Sequence, residues 1–229
     1  MHYKCLIIDD EIELAESTCE YFNMFEVKTA YVTGYQEGLA WLEENTVDLI
    51  LLDINLGDMS GFELCKTIRQ KLNIPILFIS ARKSDDDVLI ALNIGGDDYI
   101  KKPYTLSVLL AKVKVGLKRF GSVANDISDE KYENQNLVLD YRRGKVMVDG
   151  KEVMLKAMEY KLLVYLIQNK GRIISKEELF EKVWEDAFTG DGTLNVHIRH
   201  LREKIENDAY EPMRIKTIWG RGYTYEDLK

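Results

Sequence analysis

The stretch VDLILLDINLGDMSG, residues 47–61, decides how the rest of the chain is read. Its first half, Leu49–Leu52, is an uninterrupted apolar run, which a strand covered on both faces of a parallel sheet requires. The run stops at Asp53, where such a strand emerges at its carboxyl end, and Gly57, Asp58, Ser60 and Gly61 then read as a loop leading into a helix. In open α/β sheets that edge is where ligands bind. A lone Asp after a strand is more often a turn cap, so the weight of Asp53 rests on its company.

Upstream, Lys4–Ile8 is a short apolar segment ending in Asp9-Asp10-Glu11, and Ile12, Leu14, Ala15, Cys19 and Phe22 give Glu11–Phe22 a helical spacing. Val27–Tyr31 is a second strand candidate, followed by Thr33-Gly34 and a helix carrying Leu39 and Leu42. Downstream, a helix is expected over about Ser60–Lys71, a strand over Ile76–Ile79 ending at Ser80, and a helix over about Asp85–Asn93 that Gly95-Gly96 breaks. Tyr99–Lys101 forms a fifth strand before Lys102-Pro103, and a last helix covers about Leu106–Arg119. Five strands alternating with five helices predict a doubly wound parallel sheet.

The 229 residues have room for two domains, each with its own core. With 46% apolar and 31% charged residues the composition is that of a globular protein. No apolar run approaches the ~20 residues of a membrane span, and the opening MHYKCLIIDD turns acidic too soon for a signal peptide. A cytoplasmic protein with no membrane partner is expected. Cys5, Cys19 and Cys65 lie in apolar segments without metal-like spacing and read as buried, reduced thiols. Residues 1–131 hold 14 Lys and Arg against 22 Asp and Glu, whereas residues 132–229 hold 17 of each. The excess acid is therefore confined to the first half, and nucleic-acid binding by the second depends on where its cations lie.

If the five strands are parallel, Asp9, Asp10, Asp53, Ser80 and Lys102 all project from one edge. Crowded carboxylates repel one another, and a hard divalent cation such as Mg²⁺ neutralises them. A lysine and a hydroxyl beside them suit the oxygens of a phosphoryl group carried on Asp53. Singly, Asp9 or Asp10 could cap a helix, Ser80 could be a loop residue and Lys102 a solvated lysine; together, at four strand ends, they favour the joint reading.

Asp9-Asp10, LLD at 51–53, IS-A at 79–81 and DDYIKKPY at 97–104 resemble the receiver domain of bacterial response regulators over about residues 3–120. The resemblance implies a flavodoxin-like fold and phosphorylation of Asp53 by the phosphohistidine of a sensor histidine kinase. It implies Mg²⁺ held by Asp10, Asp53 and the backbone carbonyl of Asn55, with Asp9 behind them. Lys102 would pair with the phosphoryl group and precede a cis bond to Pro103, while Ser80 and Tyr99 would form the switch pair. It also implies dimerisation on activation through a face carrying Val88, Asp97, Asp98, Val108, Lys112 and Lys114, of which Val88 and Val108 stand where charges are frequent in the family. Gly57 replaces a usual proline and is expected to loosen its turn.

Gly121–Gln135, rich in Ser, Asn, Asp and Glu, reads as a flexible linker between a domain of residues 1–120 and one of residues 136–229. The second domain opens with strand-like pieces at Leu137–Asp140, Lys145–Val148 and Glu152–Leu155, the last two joined by Asp149-Gly150. Three helices follow. The first, over about Ala157–Asn169, ends before Gly171, and the second is capped by Ser175 with Glu178 three positions on. The third, over about Thr193–Glu206, has an apolar stripe of Leu194, Ile198, Leu201 and Ile205. Its opposite face carries Asn195, Arg199 and Arg202, with His197 and His200 at the margins. A helix seated in a DNA major groove needs that division, although a solvated face is the default reading of any charge run. RIKTIWGRGYTYE, residues 214–226, reads as a basic hairpin beside it.

NVHIRHLREKI and KTIWGRGYTYE resemble the winged helix-turn-helix effector of the OmpR/PhoB family, over about residues 135–227. That resemblance implies binding to double-stranded promoter DNA. Asn195, Arg199, His200 and Arg202 would read bases or phosphates, His197 and Thr217 would touch the backbone, and Arg221 or Trp219 would serve in the wing. The loop Glu185–Asp191 is where the family meets RNA polymerase. The expected function is a two-component transcription regulator that is not an enzyme beyond assisting its own phosphorylation and dephosphorylation. The alternative is a phosphorylation-independent DNA-binding regulator with a constitutively dimeric receiver. A small-molecule phosphotransferase would need a substrate cap, and no strand end carries an insertion long enough.

Overall fold

The structure, a computed structural model, describes residues 1–57, 59–81, 85–121, 130–184 and 191–228. The chain forms two compact units, Met1–Lys118 and Arg119–Lys229. Among the described residues no helix is long and apolar enough to cross a membrane.

In the first unit the strands are β1 (Cys5–Ile8), β2 (Thr29–Val32), β3 (Ile50–Asp53), β4 (Ile76–Ser80) and β5 (Asp98–Lys101). They form one sheet in the order β2-β1-β3-β4-β5, and every pair is parallel. The helices between and after them are α1 (Ile12–Met24), α2 (Tyr35–Glu44), α3 (Gly61–Arg69), α4 (Asp85–Ile94) and α5 (Leu106–Gly121). CLII, ILLD and ILFIS are buried along their whole length, as strands covered on both faces must be. Leu6, Ile8, Leu52, Phe78 and Ile68 make the centre of one core cluster.

The edge strand β2 starts two residues later than its hydrophobicity suggests. Val27 is buried, but its N–H closes the end of α1 on the carbonyl of Phe22, and Glu26 takes a left-handed φ of 64°. Its apolar side chain thus belongs to the helix terminus and not to the ladder.

The second unit opens with a four-stranded antiparallel sheet, β6 (Lys131–Asn134), β7 (Leu137–Asp140), β8 (Lys145–Val148) and β9 (Lys151–Val153). The linker expected over 121–135 is thereby shortened, because Lys131–Asn134 pairs with β7; residues 122–129 lie outside those described. KYEN alternates exposed and half-buried positions, so it forms a strand without an apolar signal. The helices are α6 (Ala157–Gln168), α7 (Lys176–Leu179), which continues into a π-helical turn at Phe180–Trp184, and α8 (Asp191–Ile205). Ser175 caps α7 by accepting from the N–H of Glu178. The antiparallel hairpin β10 (Ile215–Ile218) and β11 (Gly222–Tyr225) closes the unit, and Ile174 bridges it through Tyr223. Trp184, Leu194, Ile198, Leu201 and Tyr225 share its core.

Candidate functional site

The parallel register brings the expected strand-end residues together at the carboxyl edge of the first sheet. Asp53 ends β3 opposite Ile79, and Ser80 ends β4 opposite Lys101. The Lys102 ammonium lies 2.6 Å from Asp53 Oδ2, 2.7 Å from Glu11 Oε1 and 3.2 Å from Asp9 Oδ2. Asp9 and Asp53 are almost fully buried, and Ser80 is fully so. Burial opposes the charge on Lys102, but the hydrogen bonds it donates to Asp53 and Glu11 outweigh that and hold the ammonium's pKa above the usual lysine range. Burial pushes the Asp9 carboxyl up, with the nearby Asp53 adding to it against hydrogen bonds from Glu11 N–H and Lys102. Burial likewise raises Tyr104, beside these charges, to about 12.

Glu11 joins this cluster and was missed in the sequence, where it reads as the start of a helix. Its position directly after two aspartates was the available signal. Ligand oxygens of Asp9, Glu11 and Asp53 come within 4.8 Å of one another, so these carboxylates can hold a hard metal ion. Asp10 stands apart from them: its Oδ2 accepts from the Gly57 N–H at 2.9 Å.

That bond also revises the expected loose turn at Gly57. Asn55–Leu56 pairs antiparallel with Met59–Ser60, and Gly57 has a φ of 62°, which proline cannot adopt. Asp53 Oδ1 accepts from the Asn55 N–H at 2.7 Å, fixing the carboxylate. Gly61 is packed so closely that a Cβ there would lie 2.0 Å from the Asp53 carbonyl oxygen. The Lys102-Pro103 bond is cis. Tyr99 is half-buried against the core.

Two of the six expected dimer-face residues point elsewhere. Asp97 is fully buried, its Oδ2 taking the Arg69 guanidinium at 2.6 Å and the Ile76 N–H at 2.9 Å. The Lys114 ammonium lies 5.6 Å from the centre of the Phe25 ring, at the end of α1. Val88 is half-buried, Val108 is 50% exposed, Asp98 accepts from its neighbour's N–H at Tyr99, and Lys112 is half-buried.

On α8 the apolar stripe is as expected, but the polar side chains divide differently. Asn195 and Arg199 are exposed; Asn195 Oδ1 accepts from Tyr223 OH at 2.8 Å, and Arg199 Nε lies 3.1 Å from Glu203. His197 is fully buried, its ring 5.5 Å from that of Trp184, so it does not reach a DNA backbone. His200 is buried as well, with Nδ1 3.4 Å from Glu159 Oε1. Glu159, fully buried on α6, also takes the Lys204 ammonium at 2.6 Å and the Lys156 N–H at 2.8 Å. Burial alone would raise the Glu159 carboxyl, but His200 and Lys204 outweigh it and hold it at about 2.

Arg202 is half-buried and clamps the hairpin, donating to Ile215 O at 3.0 and 2.7 Å and to Thr217 Oγ1 at 2.8 Å. The Arg202 fork and the Thr217 hydroxyl therefore spend hydrogen bonds on each other. At the hairpin tip, Trp219 is 90% exposed and Arg221 is exposed. The loop Glu185–Asp191 lies, but for its last residue, outside the described residues.

Residues 5–114 match the family described as response regulator receiver domain, and residues 150–225 that described as transcriptional regulatory protein, C terminal. The chain is similar to the sensory transduction protein RegX3 of Mycobacterium tuberculosis, 35% identical over 222 residues that cover 96% of this chain and 98% of that one. It is similar to the regulatory protein VanRc of Enterococcus gallinarum, 34% identical over 232 residues that cover 99% and 100%. Among solved structures it resembles the response regulator DrrB, a Thermotoga maritima OmpR/PhoB homologue, with a TM-score of 0.52 and 29% identity over 98% of this chain and 99% of that one.

Proposed function

The chain belongs to the two-component response regulators of the OmpR/PhoB type, and within that family we propose that Asp53 is its phosphoacceptor. A carboxylate oxygen of Asp53 attacks the phosphorus of a sensor kinase's phosphohistidine, the P–N bond breaks, and the imidazole leaves with the bonding pair. The observation that carries this reading is the Lys102 ammonium 2.6 Å from Asp53 Oδ2, held there between two further carboxylates. As the phosphoryl oxygens gain charge, Lys102 turns from Asp9 and Glu11 toward them, and the Ser80 hydroxyl donates a second hydrogen bond.

Three carboxylates around one ammonium leave a net negative oxygen-rich site, which fits Mg²⁺ by charge and donor type. Asp10, Asp53 and the Asn55 carbonyl would hold the ion, with Asp9 behind; for Asp10 this means giving up the Gly57 N–H. Bound there, the ion would supply positive charge to neutralise the phosphoryl oxygens.

Phosphate contacts at Ser80 and the half-buried Tyr99 bias the receiver between two packings. The shifted packing pairs two receivers through a face that includes Val88, Asp98, Val108 and Lys112. Two effector domains then occupy adjacent half-sites of promoter DNA in the cytoplasm, with Asn195 and Arg199 facing the major groove, the wing at Trp219 and Arg221, and RNA polymerase as the downstream partner.

Intact mass after incubation with acetyl phosphate and Mg²⁺ tests the chemistry. The wild type gains one phosphoryl group, Asp53→Ala gains none, and EDTA blocks the gain. If the wild type stays unmodified while a control receiver is phosphorylated, the proposal fails.

A further inference from the structure

At the hairpin tip a highly exposed large aromatic stands two residues from an exposed cation. Trp219 is 90% exposed, and its indole N–H has no hydrogen-bond partner among the described residues. Arg221, two residues on, is exposed and forms no ion pair among the described residues. Lys216 on the same hairpin is already paired with Glu226 at 2.5 Å.

The tip is not free to swing. Arg202 of α8 holds the first strand of the hairpin at Ile215 O and Thr217 Oγ1, and Tyr223 of the second strand donates to Asn195 of α8. Ile174 and Tyr223 exchange backbone hydrogen bonds at 2.8 and 2.9 Å. The hairpin strands that carry the tip are thus tied to α8, the helix whose Asn195 and Arg199 are exposed.

Building on the DNA-binding reading above, we propose that Trp219 is an apolar wedge that reads the deformability of the minor groove, with Arg221 neutralising the adjacent phosphate. An apolar protein partner would have to bury the unpaired Arg221 along with the indole, whereas a polyanion with flat apolar faces takes both. Large apolar side chains enter the minor groove by partly unstacking a base step. Pyrimidine–purine steps yield most easily, so the wing selects such a step by its flexibility and not by its base edges.

The test uses the full-length chain with Mg²⁺ and beryllofluoride, selection from a random duplex pool, and the variants Trp219→Ala, Trp219→Phe and Trp219→Arg. Because the indole is exposed, unchanged thermal unfolding is expected for all three. Stacking on one base corresponds to about 5- to 150-fold in affinity. Trp219→Ala should lose that factor on the selected duplex and lose the enrichment of a pyrimidine–purine step at the wing position, while Trp219→Phe retains most of both. The part of the tryptophan emission that Trp219→Phe removes should quench when the duplex binds. Trp219→Arg should shift the selected position toward narrow A-tract sequence. The proposal is overturned if Trp219→Ala selects the same sequences with the same affinity and the Trp219 emission ignores DNA. If the wild type binds no duplex at all, the DNA-binding reading itself falls and takes this one with it.

Discussion

Replacing Asp97 with alanine separates two roles for one acidic side chain. Resemblance places it on a dimer face; the structure makes it a buried anchor between β4, β5 and α3. Its carboxylate is fully buried and accepts from Arg69 at 2.6 Å and from the Ile76 N–H at 2.9 Å. Arg69 is itself largely buried and donates further to Gly95 O at 2.9 Å and to Ile74 O. Removing the carboxylate strands a buried guanidinium and a strand N–H, and breaking one side of a buried pair costs about 3–5 kcal/mol. Against a total of roughly 5–15 kcal/mol for a domain, this lowers the receiver's melting temperature by on the order of 15 °C. Hydrogen exchange of peptides from Ile76–Ser80 isolates the receiver from the second unit and should show protection lost in Asp97→Ala. Asp97→Asn, which keeps an acceptor for Ile76, should lose less, and adding Arg69→Met to Asp97→Ala should recover part of the loss. An Asp97→Ala protein with wild-type melting and exchange, but with dimerisation abolished, would refute the anchor role.

The other expectations concern both units. Lys102→Ala should slow phosphoryl transfer to Asp53 by about 100-fold or more, the usual consequence of removing one charge-stabilising donor, measured by intact mass against time. Gly61→Ala forces a Cβ to within 2.0 Å of the Asp53 carbonyl oxygen, and should destabilise the receiver by about 2 kcal/mol or more; an unchanged urea midpoint contradicts the close packing of that loop. The Glu159 carboxyl is lowered to about 2 in the folded state, so its contribution is present above the ordinary carboxyl pKa of about 4.3 and is lost as pH falls from there toward 2. The effector's urea midpoint should therefore drop across that window, and Glu159→Gln, less stable at neutral pH, should show a shallower drop.

The receiver's strands were legible because a parallel sheet buries both faces and writes its strands as apolar runs, as in CLII, ILLD and ILFIS. The same logic failed at the margins. Val27 advertised a strand but closes α1, while the polar KYEN of β6 pairs through its backbone with no apolar advertisement. At the candidate site, strand-end spacing brought Asp53 and Asp9 to the Lys102 ammonium, yet Glu11 went unread because its side chain folds back from a helix start onto Lys102. Polar residue type misled at Asp97, His197 and His200, since each is buried against a partner distant in sequence: Arg69, Trp184 and Glu159. Such pairings depend on packing between elements, which periodicity along one helix does not encode.

The burial of both histidines bears on how the proposed switch would work. With His197 and His200 turned inward and Arg202 engaged by the hairpin, α8 leaves Asn195 and Arg199 exposed as its proposed readers, and Trp219 and Arg221 are exposed at the hairpin tip. Even a good bidentate base contact is worth only about 1–3 kcal/mol, so one effector domain with so few of them binds a half-site weakly. Two domains joined through paired receivers make the second half-site an intramolecular event, and avidity can then exceed either affinity by about 10²–10⁴. On the proposed reading, a sparse recognition surface is what would let receiver pairing control promoter occupancy: a domain that bound tightly alone would leave the proposed phosphorylation of Asp53 with little to switch.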